Sequence, residues 1–570
     1  LLVTMYPNDN TLETVEVTGQ KIQSGLLQNL KKNDLQNLNS GANSNTVEKL
    51  VQLQSGVSTH SEFSSQYNVR GGSFDENSIY INGNEIYRPF LIKSGQQEGL
   101  SVISPYMVEN IDFSNGGFTA KYGDKMSSVL DITYKKPEKF ESVVSASLMS
   151  ADAYIGFGNK KFSWTNSFRY NNNRFLLNSL ETSGEYRPNF TDYQTYFSYR
   201  PNSKWSFDII GNYNSNHYNF YPKTRETTFG TMDNVKSFNV YFDGQENDIF
   251  KTTSATFGIT RQFSPISSIS LIASSFTSNE KEQYDIQSQY WLTQTESQEN
   301  LGVGTFFEHA RNYLKANVNI LKLILKHNID KHNIEAGITL KDEHIKEYSN
   351  EYEMRDSSGY SIPHTGNDLN MIYSLNANNR INSRRIESYI QDTWKFSSAN
   401  ENTLFTLNYG ARISHWSYNK ETIVSPRISL VVIPSFNKNI TLRLATGVYY
   451  QAPFFKELRD TTSTNGITTV SLNNKIKSQK SIHIIAGMDY RFNVANRPFK
   501  FSADAYYKIL SNLIPYSVNN VKVVYDGRNE ASGHAAGIDF KLYGEFVPNT
   551  NSWITLSLMN TKMNIKDYSV

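Results

Sequence analysis

Asp75 and Glu76 are adjacent carboxylates, a pairing that acid–base chemistry or a bound cation can use. Adjacent residues point to opposite faces of a strand, so the pair reads equally well as loop decoration. His327 and His332 sit in a tandem, Lys326-His327-Asn328-Ile329-Asp330 and Lys331-His332-Asn333-Ile334-Glu335. Their five-residue offset puts them on opposite faces of one strand, so they are expected to flank a turn and not to share a metal. The other histidines are scattered and cysteine is absent. Without cysteine there is no disulfide, thiol nucleophile or cysteinyl metal site. The nucleophile elbow, the zinc-protease helix, the Walker loop and the dinucleotide fingerprint are also missing. No catalytic residue, metal or cofactor is expected.

The elements that must position these side chains come from a polar chain of 570 residues with unusual aromatic content, 36 Tyr, 33 Phe and 6 Trp. A formal net charge of +2 gives no electrostatic footprint for nucleic acid, and the aromatics argue against disorder. No run approaches the roughly 18 apolar residues of a spanning helix. From residue 141 onward, apolar and polar residues alternate with a period of two. Phe162, Trp164, Phe168 and Tyr170 oppose Ser163, Thr165, Ser167 and Arg169; Ile440, Leu442, Leu444 and Val448 oppose Thr441, Arg443 and Gly447. Short polar turns (159–161, 201–204, 264–267, 436–439, 493–498, 548–551) alternate with long polar segments (171–190, 221–250, 349–382, 451–480). Alternating strands with one tight and one long rim predict a transmembrane β-barrel, with about 17 strands here. The first 136 residues differ: glycine clusters (Gly71-Gly72, Gly116-Gly117, Gly123), short apolar runs and a helix over 47–52 predict a small mixed α/β domain.

Taken in order, these segments resemble the TonB-dependent outer-membrane receptors over essentially the whole chain. Glu48-Lys49-Leu50-Val51-Gln52-Leu53-Gln54-Ser55-Gly56-Val57 is similar to the plug segment of that family, and Asn68-Val69-Arg70-Gly71-Gly72 with Ser78-Ile79-Tyr80-Ile81-Asn82-Gly83 to its central signature. Asn115-Gly116-Gly117-Phe118-Thr119-Ala120-Lys121-Tyr122-Gly123 resembles the end of the plug. Ser388-Tyr389-Ile390-Gln391-Asp392-Thr393-Trp394, Ser425-Pro426-Arg427 and Tyr449-Tyr450-Gln451-Ala452-Pro453 resemble barrel segments. Three departures stand out: Ser55 for the usual proline, Asn115-Gly116-Gly117 for Lys-Gly-Pro, and Ser127-Ser128 for Gly-Gly.

The resemblance implies a mostly β fold, an antiparallel barrel of about 22 strands enclosing the α/β plug. Residues 1–10 then end an upstream extension, 11–18 form a TonB-box-like segment, 19–136 the plug and 137–570 a barrel lacking its last strands. Glu13, Thr14, Val15, Glu16 and Val17 would pair with periplasmic TonB by strand addition. Plug apices would meet the ligand: Ser58, Thr59 and His60; Phe74, Asp75, Glu76 and Asn77; Tyr87, Arg88 and Phe90. Arg70, Gly71, Gly83, Tyr122 and Gly123 are expected to be structural, with Arg70 paired to acids of the barrel wall. Aromatics of the long segments (Tyr218, Phe220, Tyr221, Tyr290, Trp291, Tyr352, Tyr360) could stack on a ligand. The implied function is TonB-dependent import of a scarce or bulky ligand across the Gram-negative outer membrane. Outer-membrane lipid surrounds the barrel, and a surface lipoprotein lid is a further implied partner. The alternative is a receptor-like barrel serving as a structural subunit of a larger outer-membrane complex.

Overall fold

A computed structural model describes residues 27–30, 46–59, 65–87, 101–123, 125–172, 174, 184–231, 234–297, 299–357, 369–398, 402–464, 466–519, 522–548 and 550–566. Residues 1–18, His60, Arg88, Phe90 and Tyr360 lie outside them.

The N-terminal part folds into β1 (Gln28–Leu30), α1 (Val47–Gln52), β2 (Val57–Ser58), β3 (Asn68–Val69), β4 (Asn77–Ile81), β5 (Asn84–Glu85), β6 (Val108–Ser114) and β7 (Ser128–Tyr134). The hydroxyl of Thr46 accepts a hydrogen bond from the Lys49 amide and starts α1, satisfying one donor that the helix leaves open. Val47, Leu50 and Val51 recur at the spacing of one helix face and are buried. They share a core with Ile79, Ile111, Phe113 and Ile132 of the mixed sheet β1-β6-β7-β4-β5. Asn82 (φ 49°) and Gly83 (φ 79°) turn β4 into β5, the left-handed pair that a two-residue hairpin requires. Tyr154 and Tyr196 of the surrounding wall complete this core.

The wall follows as β8 (Glu141–Ala146), β9 (Ser150–Gly158), β10 (Phe162–Asn171), β11 (Gly184–Asn202), β12 (Trp205–Pro222), β13 (Arg225–Thr231), β14 (Asn234–Ser264), β15 (Ser267–Gln294), β16 (Asn300–Ile329) and β17 (His332–Ser357). It continues through β18 (Asn370–Ser397), β19 (Leu404–Trp416), β20 (Glu421–Ile433), β21 (Ile440–Gln451), β22 (Arg459–Thr464), β23 (Ile467–Leu472) and β24 (Gln479–Val494). The last strands are β25 (Arg497–Leu513), β26 (Tyr516–Asn519), β27 (Lys522–Tyr525), β28 (Ala531–Val547) and β29 (Thr550–Ile565). Five of these, β13, β22, β23, β26 and β27, are short additions at the long-loop rim; among the described residues the other seventeen make the barrel. Antiparallel registers join them in chain order from β8 to β29, and β29 stands next to β8 in the ring. Among the described residues no paired register links those two strands, whose apolar side chains (Val144 83%, Ile554 61% exposed) face outward.

Burial along the wall is the inverse of a soluble sheet. In β10, Ser163, Thr165, Ser167 and Arg169 are buried while Trp164 and Phe168 are exposed. In β20, Ser425, Arg427 and Ser429 are buried while Val424 and Ile428 are exposed. Polar faces line the lumen and apolar faces meet lipid. Runs of touching rings mark the short-turn rim, Trp394–Phe396–Phe405 and Tyr490–Phe492–Phe499, as an interfacial girdle does.

Two expectations need correction. Much of the long polar segments is strand: β14, β15 and β16 run 31, 28 and 30 residues, about three times the 9–11 that cross a bilayer. Tyr218, Phe220 and Tyr221 therefore lie on β12, Tyr290 and Trp291 on β15, and Tyr352 on β17. Above the lipid both strand faces are polar, so hydropathy loses the period of two although the ladder continues. His327 and His332 do flank a turn, but on different strands, β16 and β17. Asp330 (φ 48°) reverses the chain between them, and both rings lie on the outward face. His327 Nδ1 meets the Ser267 hydroxyl at 2.6 Å and His332 Nδ1 meets Asp392 at 2.6 Å.

Candidate functional site

The centre of the molecule is the seat of the plug in the barrel. Arg70 follows β3 with φ 47° and its side chain is fully buried. Its Nε donates to Asp539 at 2.8 Å and Nη2 to Asp504 at 3.3 Å, with the Tyr506 ring 4.5 Å from the guanidinium. Asp504 also accepts from Arg443 at 2.8 Å, and Arg443 bonds Asp489 at 2.6 Å. Arg70 thus enters a chain of alternating charge on β21, β24, β25 and β28. Gly71 (φ 77°) lets the backbone turn there, and a Cβ would run into the Thr561 methyl of β29. Nearby, the Gly56 amide donates to Ser557 at 2.7 Å and the buried Lys508 ammonium to the Val69 carbonyl at 3.3 Å.

Comparable polar clamps surround the plug. Arg427 donates to the Thr119 and Tyr122 carbonyls at 2.7 and 2.6 Å, and Tyr449 to the Phe118 carbonyl at 3.1 Å. Tyr122 donates to Asp131 at 2.7 Å, and the Gly123 amide donates to Tyr80 at 3.2 Å. Lys322 reaches the Gly83 carbonyl at 3.1 Å and Lys341 reaches Glu85 at 3.5 Å. On the far side Arg169 grips Asp192 at 2.7 Å and donates to the Ser101 and Ile103 carbonyls at 2.8 and 3.0 Å. Close by, burial pushes the Glu48 carboxyl of α1 up to about 7, against smaller opposing effects of Ser101 and Arg169.

The expected apex residues separate into two groups. Ser58 is exposed, and Thr59 donates to the Gln66 carbonyl at 3.3 Å. Phe74 packs against the plug core. Glu76 accepts from the Ser127 hydroxyl at 2.5 Å and from the Ser73 amide at 3.2 Å, and its carboxyl is raised above the usual range by burial and by Asp75. Asn77 is buried between the Tyr67 carbonyl and the Ser128 hydroxyl, at 2.6 and 2.7 Å. Tyr87 sits edge-on to Phe276 of β15, centroids 5.2 Å apart. Asp75 meets the wall differently: its carboxylate accepts from Gln451 at 3.2 Å, and its carbonyl accepts from Lys125.

Gln451 ends β21, where the chain folds inward before β22. Glu457 of that segment is buried, accepting from Gln479 at 2.9 Å and from the Phe454 amide at 3.0 Å. Burial and neighbouring Asp75 hold its carboxyl well above the usual range. Phe455 and Leu458 pack with Trp416, Ile476 and Ile514, and Tyr525 lies against this cluster. Sequence reading missed this contact; its one signal, Tyr449-Tyr450-Gln451-Ala452-Pro453, marked a strand end without showing what it touches. Above the plug, the inward faces of β14–β17 bear Glu246, Asp248, Glu282, Glu308, Glu347 and Glu351; Arg459 pairs with Glu347, which leaves a vestibule acidic on balance. Among the described residues no group of His, Asp and Glu is arranged to hold a metal.

With a plug seated in a strand-crossed barrel on view, the comparisons agree with the geometry. Residues 198–567 match the family "TonB dependent receptor-like, beta-barrel" and residues 23–128 match the "TonB-dependent Receptor Plug Domain". No curated protein matches the chain by sequence. Among solved structures, the outer membrane transporter YddB from Escherichia coli is 11% identical with a TM-score of 0.62, over 94% of this chain and 77% of that one. The copper transporter OprC gives 11% and 0.63, over 95% and 81%. A ferric enterobactin receptor (PfeA) mutant from Pseudomonas aeruginosa gives 12% and 0.60, over 94% and 80%. At these identities the likeness shows the fold, and the match of the barrel across most of the sequence shows the family: the chain belongs to the TonB-dependent receptors of the Gram-negative outer membrane.

Proposed function

We propose that this receptor imports a ligand bound between its extracellular rim and the upper face of the plug, with force applied by TonB through Glu13, Thr14, Val15, Glu16 and Val17. The observation that carries this reading is the character of the plug seat. Its contacts around the lumen are mostly charged and polar, centred on Arg70 with Asp504 and Asp539, with aromatic contacts confined to a few wall residues such as Tyr154, Tyr196 and Phe276. Such contacts keep a seated plug in place yet exchange with water once the plug is displaced, so a pulled plug can reseat. An apolar interface would lack that reversibility.

Of the apex candidates, Asp75 is the proposed reporter of ligand arrival. It joins the plug to Gln451 at the end of β21, where the inward-folded segment starts, so a shift of that segment can reach the plug through Gln451. Glu76 and Asn77 are proposed as its rigid support. Ser58, Thr59, His60, Phe74, Tyr87, Arg88 and Phe90 stay as proposed contacts of lower weight. The neighbours include receptors or transporters for ferric enterobactin and copper, and import of a chelated or bulky nutrient fits the same scaffold. The acidic vestibule disfavours a ligand of high negative charge. Deleting residues 13–17 should abolish uptake while ligand capture at the cell surface persists. Uptake that survives the deletion would remove TonB coupling through this segment.

A further inference from the structure

Five cations stand on the outward face of the barrel, on the long-loop side of its apolar band: Lys251 on β14, Lys281 on β15, Lys315 on β16, Lys346 on β17 and Arg380 on β18. Orientation follows from the inward neighbours. Lys322 and Lys341 reach the plug, and Thr256 accepts from Asn84, so Lys315, Lys346 and Lys251, of opposite parity on the same strands, face away from the lumen. Lys315 is directly opposite Lys346, and Lys346 directly opposite Arg380. Like charges opposite each other on neighbouring strands are mutually destabilising. Among the described residues no side chain of the five makes an ion pair or a hydrogen bond to the protein. Asp342, on the same face below them, is already engaged by Arg384 and His344 at 3.2 and 2.8 Å. A groove of about 440 Å³ runs between Lys251, Lys281, Lys315 and Lys346, with Tyr313 and Tyr348 in its lining, their rings 6.2 Å apart; Glu280 and Glu347 also line it, Glu347 being paired with Arg459.

Height places this row in the lipid headgroups. Along β18, Arg380 lies fourteen residues above Trp394 of the short-turn girdle. That is about 46 Å of strand, or about 35 Å along the membrane normal at a tilt near 40°. The apolar band is about 25 Å tall, so the cations sit about 10 Å beyond its upper edge on the long-loop side. Between them and the band the outward face stays polar, with Asn317, Asn319, His344, Asp342, Asn382 and Arg384, and the apolar residues begin at Leu321, Leu340 and Ile386, each about half exposed.

We propose that this row binds the phosphate groups of anionic lipid in the outer leaflet, with the acyl chains lying on the apolar band beneath. The bound phosphate would relieve the repulsion along Lys315, Lys346 and Arg380, and the two tyrosines would flank the headgroup. The test uses the full-length receptor in nanodiscs containing a diphosphorylated lipid A, with phosphatidylcholine nanodiscs as reference, and reads retained lipid by native mass spectrometry. Each basic residue near an anionic surface contributes about five-fold, so Lys315→Gln/Lys346→Gln/Arg380→Gln should lower lipid A retention about a hundred-fold. Lys315→Arg/Lys346→Arg/Arg380→Lys should restore it. Lys160→Gln/Lys161→Gln at the opposite rim should leave it unchanged. Heat-modifiable mobility confirms that each barrel is folded. Unchanged retention in the folded triple Gln variant, equal retention of phosphatidylcholine, or full displacement by inorganic phosphate would overturn the proposal.

Discussion

Arg70→Ala tests the plug seat most directly. The change strands Asp539, whose side chain is wholly buried, without its ion-pair partner, while Asp504 keeps Arg443. Removing one partner of a buried pair costs about 3–5 kcal/mol, because the remaining charge stays desolvated. If plug opening responds to urea with a slope of about 1–2 kcal/mol per molar, its midpoint should fall by roughly 1.5–5 M. The chain has no cysteine, so a single Ala120→Cys, at a position 1% exposed beneath the wall clamp, reports opening by thiol labelling without background. Arg70→Met/Asp539→Leu supplies the internal check: removing both charges should recover most of the loss. A labelling midpoint for Arg70→Ala within about 0.5 M of the parent, beyond ordinary extrapolation error, would refute the idea that this ion pair holds the plug.

Glu48 predicts a pH dependence. Its carboxyl ordinarily titrates near 4.5 and burial pushes it up to about 7 in the folded plug. The folded state therefore binds the proton more tightly, and stability is full below about 4.5 and falls as pH rises through about 7, by about 3 kcal/mol in total. Glu48→Gln should flatten that slope and raise the plug's urea midpoint at pH 8; an unaltered slope would contradict it. Ile338 is 51% exposed on the outward face, and Ile338→Arg should cost about 2–4 kcal/mol in the bilayer. Reduced folded barrel on heat-modifiable gels checks this, and wild-type yield would count against the lipid-facing assignment.

The fold was largely legible because a strand that separates lipid from a polar lumen must alternate every residue, and Trp164, Phe168, Ser163 and Arg169 do so. Legibility failed where that contrast ends. Above the membrane both faces of β14–β17 touch water or polar lumen, so nothing in hydropathy separates strand from loop, and strand extensions were read as loops. The departures from the family pattern also acquired a reason only in three dimensions. Ser127 and Ser128, in place of Gly-Gly, supply the hydroxyls that grip Glu76 and Asn77. Those two candidates are thereby fixed inside the plug, and Asp75 alone of the pair reaches the wall. The contact of Asp75 with Gln451 spans 376 residues, and no local motif carries a pairing of that range.

The sequence by itself determined the class of architecture, the face each wall residue takes within the membrane-crossing part of its strand, and the likeness of the plug signature to its family. All of these follow from spacing along the chain, through the two-residue period of a strand and the left-handed turn at Asn82-Gly83. Tertiary structure alone decided the partners. Arg70 meets Asp539 across 469 residues because ring order brings β28 beside the plug, and Lys315, Lys346 and Arg380 become neighbours only when β16, β17 and β18 take one register. A period of two says which way a side chain points. The register of the ladder says what it faces.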